Sequence, residues 1–304
     1  MLELTYPTVT EVEPGVLAGP QRNVINPDHE AGEGSIHDDA TAQKVGFRGG
    51  TVAGSYHLNL FPPLALEAFG PRWFERGSLS IYFRNATIDR EPVRAYVRKP
   101  KGLADEQVDA WALRDDGLLV LEGTLSVGAP GEPPALQRID LDAIDGAGLR
   151  ILAGIRKGDL IPEQGLMVSS DYFDSRLATA AEVLPWNLPE PAGSSGLARS
   201  PWGEGRVLTP QGMENLLYRP AVESIRKRVN KSVGLFGAIE LRAVNGPAFA
   251  DTPYVVYGKV LAVGQSPKTE FFWYETYADD TAGRRVCEMR MLLRFMKASS
   301  PLYA

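Results

Sequence analysis

The sequence predicts an α+β protein made of two copies of one unit, each a helix followed by an antiparallel meander. Three observations carry this prediction: an internal repeat, a helical apolar periodicity early in each copy, and four strand-like segments after each helix. At 304 residues, with 44% hydrophobic side chains, the chain has room for two domains of ordinary size. We place their boundary so that residues 1–140 form an N-terminal unit and residues 141–304 a C-terminal unit with a linker.

The internal repeat has an offset of 158 residues. Segments 51–62 and 209–220 both begin with a threonine and meet a proline at their last position, and segment 81–84 maps onto 239–242. Threonine is suited to cap the first turn of a helix, so a helix is expected after each one.

Each predicted helix is followed by predicted strands. In the first copy apolar residues recur every fourth position over 52–69, which indicates an amphipathic helix that Pro62-Pro63 must kink or restart. Period-2 patterning and turn residues such as Asp116-Gly117 predict the strands that follow, at 78–89, 92–99, 106–114 and 118–127. The second copy predicts a helix over 210–228, with Pro210 at its first position, and strands near 233–244, 253–263, 268–278 and 284–297.

The segment between the two copies is rich in proline, glycine and serine, most clearly at 188–196. Residues 146–185 are expected to be structured, with a helix within 170–183. By the repeat offset, Ser195 occupies the position of His37, so the second copy carries no acid–base motif and one active site per chain is expected.

Composition excludes several functional classes. A net charge of -6 argues against general affinity for nucleic acid or anionic lipid, because both require dense Lys and Arg. No apolar run approaches the roughly 20 residues of a membrane span, and the N-terminus lacks the basic-then-apolar layout of a signal peptide, so a cytoplasmic protein is expected. Cys287 is the only cysteine and lies in an apolar strand-like run, which favours a buried hydrophobe over a nucleophile.

The strongest chemical signal surrounds His37. Carboxylates lie on both sides of it, at Glu33, Asp38 and Asp39, and a glycine-rich turn follows that opens onto the first helix. An imidazole beside carboxylates can exchange protons near neutral pH, and N–H groups at a helix start can hold a substrate oxygen. The residues alone leave three interpretations open for the loop: a solvated acidic loop, a metal site and a catalytic loop.

The order of His37, two aspartates, Gly46-Phe47 and a small-residue helix start resembles the active-site segment of the MaoC-like branch of the hotdog superfamily, the R-specific enoyl-CoA hydratases. The resemblance implies a double hotdog fold, with His37 as the catalytic histidine and Gly54 as the helix-start glycine that polarises a thioester carbonyl. This chain departs from the pattern at three places. Gly32 stands where the family has its aspartate, Gly34-Ser35 replaces Asn-Pro, and Ala53 replaces a histidine.

The resemblance implies an acyl-thioester hydratase or dehydratase that interconverts 2-enoyl and 3-hydroxyacyl groups carried on CoA or an acyl-carrier protein. Catalysis would use His37 with a carboxylate, Glu33 first and Asp39 second. The expected substrate-binding residues are Gly50, Gly54 and His57, although a satisfied core histidine is the more usual fate of a residue such as His57. No metal or redox cofactor is required, because the thioester itself acidifies the α-proton. The fused repeat predicts a monomer or a homodimer.

Two alternatives remain. A thioesterase would use the same fold with a carboxylate that activates water, and Glu67 or Glu214 on the predicted helices are its candidates. A non-catalytic acyl-ligand-binding protein is the other, because the family's aspartate and the histidine before its helix-start glycine are both missing.

Overall fold

The computed structural model describes residues 7–28, 35–189, 200–203 and 205–304. The strands are β1 (Thr10–Glu13), β2 (Val16–Ala18), β3 (Arg22–Asn23), β4 (Gly77–Phe83), β5 (Pro92–Arg98), β6 (Glu106–Arg114), β7 (Leu119–Val127), β8 (Leu160–Leu166), β9 (Gly234–Ala243), β10 (Tyr254–Gln265), β11 (Thr269–Asp279) and β12 (Arg285–Met296). The helices are α1 (Asp39–Lys44), α2 (Gly54–Leu58), α3 (Pro62–Phe69), α4 (Arg72–Arg76), α5 (Ser170–Leu177) and α6 (Pro210–Ile225). Within these described ranges, no helix combines the length and apolarity needed to cross a bilayer.

All strands belong to one antiparallel sheet, in the order β1-β2-β5-β6-β7-β4-β9-β12-β11-β10-β8, with β3 paired to β5. The two halves of the sheet have the same strand order from the outside toward the centre: β5-β6-β7-β4 in one half and β10-β11-β12-β9 in the other. The two halves meet where β4 pairs with β9. The predicted fold class, α+β with a helix and an antiparallel sheet present twice, is therefore confirmed. The four-strand meander is corrected: in each copy the last three strands form a meander, and the first strand pairs with the last, β4 with β7 and β9 with β12.

The internal repeat is visible as a local two-fold axis. Ile81 lies directly opposite Ile239 in the β4–β9 pair, and these two residues are equivalent under the 158-residue offset. Antiparallel strands whose equivalent residues face each other are related by a two-fold rotation through that pair. The same rotation relates α2 to the first part of α6, and these two helices are in contact.

The two central helices begin differently. Thr209 caps α6 as predicted, since its Oγ1 accepts from the N–H of Gly212 at 3.1 Å, and Pro210 follows at the first helical position. The expected cap at Thr51 is wrong. Thr51 forms a β-bridge with Ile88, and α2 begins only after Ala53.

Proline divides the first predicted helix into two. The expected helix over 52–69 ends as α2 at Leu58 and restarts as α3 at Pro62, because proline lacks an N–H for the preceding turn and fits the first turn of a new helix. The second helix runs through Pro220 without a break, and residues 226–228 continue it as a 3-10 turn.

Eight predicted strands are present with small shifts at their ends; the largest is in β4, which stops at Phe83 rather than at residue 89. The sequence did not predict β1, β2, β3 or β8, which lie at or near the sheet edges: β2 and β3 pair with β5, β1 pairs with β2, and β8 pairs with β10. The predicted helix within 170–183 is α5, which Ser169 caps. Cys287 is fully buried in β12, as expected.

Candidate active site

A cavity of about 840 Å³ lies between α2 and α6. It follows one face of α6 from Gln211 to Arg226, a distance of about 22 Å at ~1.5 Å per residue. The other walls come from the His37 loop, the start of α2, the segment after β4, helix α5 and the first residues of β9. The cavity therefore extends along nearly the whole length of α6.

His37 lies in the wall of this cavity. Its ring Nδ1 is 2.7 Å from the carbonyl oxygen of Thr51, and its own carbonyl accepts from the side-chain amide of Asn26 at 3.0 Å. Because a carbonyl only accepts hydrogen bonds, Nδ1 must carry the proton. In the neutral ring Nε2 then holds the free lone pair, so the imidazole is oriented to act as a base.

The aspartates beside His37 have local structural partners. Asp38 caps α1 by accepting from the N–H of Thr41 at 2.8 Å, and that hydrogen bond lowers the pKa of its carboxyl. Asp39 Oδ1 accepts from the N–H of Gly50 at 2.6 Å. Neither carboxylate lines the cavity.

Gly50 also lies outside the cavity lining and packs against the His37 loop. Its N–H is occupied by Asp39, and a Cβ at this position would lie 2.3 Å from the His37 carbonyl oxygen. Asp39 and Gly50 thus bond each other beside the backbone of His37, where only glycine leaves room at position 50, and unlike His37 they do not line the cavity. Glu33, the first candidate for the catalytic carboxylate, lies outside the described residues.

Gly54 and His57 both line the cavity. Gly54 is the first residue of α2, where N–H groups lack partners within the helix, and a Cβ there would lie 2.6 Å from the Phe83 ring. His57 is 2% exposed and its Nε2 is 2.9 Å from Thr87 Oγ1. Burial lowers the pKa of His57 to about 4, so this ring is neutral at pH 7. His57 is a core histidine whose Nε2 is hydrogen-bonded and whose buried Nδ1 has no partner among the described residues, and it also forms part of the cavity wall.

Arg176 is a cavity residue that the sequence did not single out. It projects from α5, and its Nη1 donates to the Tyr56 hydroxyl at 2.6 Å and lies 3.5 Å from Asp28. The Tyr56 hydroxyl donates in turn to Asp28 at 3.2 Å. Burial, followed by the nearby Asp28 charge, raises the pKa of Tyr56, so the phenol stays protonated. No local pattern could have linked Arg176 with residues so far away in the chain.

Glu214 is the second carboxyl group in the cavity wall. It lies on α6, is 4% exposed and forms a hydrogen bond with Ser55, the residue after Gly54. Burial raises the pKa of Glu214 to about 8, against the opposing effects of the Ser55 hydrogen bond and Arg176. Of the two thioesterase candidates, the structure thus brings Glu214 into the cavity, whereas Glu67 is exposed on α3.

The end of the cavity beside the last turn of α6 opens to solvent and is basic. Its exposed lining residues include Arg84, Arg226 and Lys231. Arg84 is paired with Glu122 at 2.7 Å. In the described part of the chain the acidic residues that line the cavity are Asp28 and Glu214, which lie toward the other end, so Arg226 and Lys231 give this mouth an excess of basic side chains.

The corresponding mouth in the other copy is filled. Lys231 and Ser232 line the open cavity, and the repeat offset places Trp73 and Phe74 at their equivalent positions. These two rings pack edge-to-face at 5.0 Å, and Trp186 and Trp202 of the linker region complete the cluster. The described parts of the two copies therefore differ at this end of the central helices. Ser195, the predicted counterpart of His37, lies outside the described residues, so the expectation of one active site per chain stays a prediction.

No protein-family model and no curated protein matches the sequence. Solved structures match its fold. A protein assigned as a MaoC domain dehydratase from Chloroflexus aurantiacus has a TM-score of 0.60 at 11% identity, over 96% of both chains. A conserved hypothetical protein with a double hotdog fold from Mycobacterium tuberculosis has a TM-score of 0.57 at 13% identity, over 97% of both chains.

The chain has a double hotdog fold. The dehydratase domain of PpsC from Mycobacterium tuberculosis, solved in complex with C12:1-CoA, also matches this double hotdog, with a TM-score of 0.50 at 8% identity over 96% of this chain and 98% of that one. The structural similarity to MaoC-like dehydratases that the sequence indicated is therefore confirmed at the level of the fold.

Proposed function

We propose that this double hotdog protein acts on acyl thioesters and adds water to a 2-enoyl group, or removes it from a 3-hydroxyacyl group. The observation that carries the proposal is the orientation of His37: the Thr51 carbonyl binds Nδ1 in the wall of a long cavity, which leaves Nε2 for proton transfer. Structural similarity to MaoC-like dehydratases supports the same reaction class.

In the hydration direction, His37 Nε2 accepts a proton from a water molecule while its oxygen bonds to C3 of the enoyl group. The C2–C3 π electrons move toward the thioester carbonyl, and the negative charge that develops on its oxygen is held by the N–H of Gly54. A proton is then delivered to C2. Glu214 is suited to donate it, because a carboxyl group with a pKa of about 8 is mostly protonated at pH 7. Glu33 remains the predicted partner that orients the water.

The basic residues at the mouth of the cavity favour CoA as the acyl carrier. Arg226 and Lys231 lie at the solvent end of the cavity, where the phosphate groups of CoA would lie if its pantetheine arm followed α6 inward. The CoA complex of the PpsC dehydratase domain supports this choice. An acyl-carrier protein is the alternative, and a comparison of crotonyl groups on the two carriers would distinguish them.

The test is the hydration of crotonyl-CoA, followed through the loss of the enoyl-thioester absorbance. We expect His37→Ala to lower kcat by roughly 10²–10⁴-fold, the usual contribution of positioned proton transfer. Glu33→Gln should cost nearly as much if Glu33 replaces the family aspartate. Asp39→Asn is the matched control; it keeps an oxygen for the Gly50 N–H and should retain most activity. Full activity in His37→Ala would remove the hydratase proposal.

Thioester hydrolysis is the second candidate, and Glu214 is the observation in its favour, because its carboxyl lies inside the cavity. A pKa of about 8 leaves only about one tenth of the group ionised at pH 7, which suits a proton donor better than a general base. Release of free thiol from acyl-CoA would identify this reaction. Thermal stabilisation by acyl-CoA without turnover would instead indicate a binding protein.

A further inference from the structure

The central sheet splits at the solvent mouth of the cavity. Strands β4 and β9 pair as far as Tyr82 and Ala238. Beyond this pair β9 remains bonded to β12, whereas the N–H of Arg84 donates to a carbonyl oxygen of β7 at 2.8 Å. Residues 83–87 on one side of the split and 234–237 on the other both line the cavity. The two copies therefore separate here, and their strand ends form part of the cavity wall.

A β-bulge on one side of this split makes room for Arg294. Leu292 and Leu293 of β12 lie opposite the two residues of β9 that flank Gly237, so Gly237 is the extra residue of the bulge. A Cβ at Gly237 would lie 2.7 Å from Arg294 Nε. Only glycine therefore leaves space for the arginine side chain here, and both residues line the cavity.

The charge of Arg294 has no counter-charge among the described residues. Its Nη1 makes one long contact, 3.5 Å from Thr269 Oγ1, and its guanidinium lies 5.5 Å from the Phe271 ring centre. Its Nε and Nη2 have no hydrogen-bond partner in the described part of the chain, and neither is a fully buried atom. Burial and then the nearby Arg84 charge lower the pKa of Arg294, and no carboxylate of the described residues opposes them. A partly buried cation without a counter-charge is costly, so an anion bound beside Arg294 would remove that cost.

Arg84 brings a second cation to the opposite side of the split. Its ion pair with Glu122 is exposed, with 46% and 45% of the two side chains accessible, and Glu122 does not line the cavity. An exposed pair of this kind contributes little to stability, so Arg84 can also bind an anion at the mouth. Arg226 and Lys231 lie at the same mouth, and the acidic residues of the described lining lie toward the other end. An anion at the split would therefore meet basic side chains from both copies.

We infer that Arg294, together with Arg84, binds a phosphate group of the carrier to which the acyl group is attached. This inference rests on the proposed acyl-thioester function and assigns the residue that holds its carrier. The planar guanidinium of arginine offers two parallel N–H donors to a phosphate, and the phosphate supplies the charge that Arg294 lacks. The phosphate of the phosphopantetheine arm is common to CoA and acyl-carrier proteins, whereas the other phosphates belong to CoA alone.

The experiment measures the binding of three butyryl thioesters to the whole protein by calorimetry. Butyryl-pantetheine has no phosphate, butyryl-phosphopantetheine has the shared phosphate, and butyryl-CoA has the further phosphates of CoA. We expect Arg294→Gln to weaken the phosphate-containing esters by at least ~10-fold, the lower range for a charge-assisted hydrogen bond, and to leave butyryl-pantetheine within about twofold. Arg84→Gln should give a smaller loss with the same dependence on phosphate. Arg242→Gln is the matched control, because Arg242 lies on β9 outside the cavity lining and pairs with Glu288; it should change none of the three affinities.

A loss for both phosphate-containing esters would assign the shared phosphate to Arg294, and a loss confined to butyryl-CoA would assign one of the phosphates that only CoA has. Unchanged affinities in Arg294→Gln, or an equal loss for butyryl-pantetheine, would overturn the inference. If that variant fails to fold, Arg294→Lys decides, because it keeps the charge but loses the planar donors and should show a partial loss for the phosphate-containing esters alone. Failure of all three esters to bind the wild-type protein would instead contradict the proposed function.

Discussion

Replacing Glu214 with glutamine should stabilise the protein, and the gain should grow with pH. Burial raises the pKa of Glu214 from its usual 4.5 to about 8, so the folded protein must keep a proton that the unfolded chain releases. Between these two pH values the unfolded state binds fewer protons than the folded state, so the stability of the wild-type protein falls as pH rises. Glutamine keeps the shape and the hydrogen bond with Ser55 but has no proton to lose.

The size of this effect follows from the two pKa values. Each pH unit above 4.5 costs the wild-type protein about 1.4 kcal/mol until the folded group begins to ionise. At pH 7 the accumulated difference is about 3 kcal/mol. With an unfolding entropy of roughly 2.1 cal/mol/K per residue, this corresponds to about 5 °C in Tm for a chain of 304 residues.

The assay is chemical and thermal unfolding of the wild type and Glu214→Gln between pH 5 and about pH 9, which spans the pKa of about 8. The difference in the free energy of unfolding should be small at pH 5, reach about 3 kcal/mol at pH 7 and level off above pH 8. Glu223→Gln is the matched control, because Glu223 is exposed on the same helix and its replacement should change little. A constant difference across this range, or a destabilised Glu214→Gln, would refute the reasoning.

Three further predictions concern the site and the sheet. Gly54→Ala should lower the free energy of unfolding in denaturant by about 1–3 kcal/mol, because the new Cβ would lie 2.6 Å from the Phe83 ring. Adding Phe83→Leu to this variant should restore the lost free energy. An unchanged free energy of unfolding in Gly54→Ala would contradict the close contact. Ser80→Ala should cost about 1–3 kcal/mol, since the Ser80 hydroxyl donates to buried Glu240 at 2.8 Å, and a loss below 0.5 kcal/mol would show that this bond contributes little. If Glu214 donates the proton to C2, kcat for hydration should fall as pH rises through about 8, whereas a thioesterase that uses Glu214 as a base should speed up over the same range.

Much of the fold was predictable because its signals are local. Apolar periodicity and turn residues predicted eight strands and the central helices, and Pro62 explains why the first of these helices is divided. The repeat identified Ile81 and Ile239 as equivalent residues. Their pairing across the two-fold axis of the sheet is known only from the structure.

The candidate site was only partly predictable. His37 and Gly54 stood out because histidine and glycine have special chemistry and conformational freedom, and both line the cavity. Asp39 was an equally clear candidate in the sequence, but its carboxylate accepts a hydrogen bond from the Gly50 N–H. Nothing in the sequence distinguishes a carboxylate that stabilises a loop from one that contacts substrate. Arg176 gave no signal, because the contact that joins it to the α2 side of the cavity, with Tyr56, lies 120 residues away in the chain.

The sequence by itself determined the fold class, the repeat, the positions of eight strands and the chemical nature of the His37 loop, because these depend on residue types at short and regular spacings. The tertiary structure alone decided which carboxyl groups line the cavity, that Glu214 holds a proton at neutral pH, and that Arg176 joins Tyr56 and Asp28. The physical reason is that burial and charge proximity depend on distances between residues far apart in the chain. Those distances exist only once the two copies have packed around their shared axis.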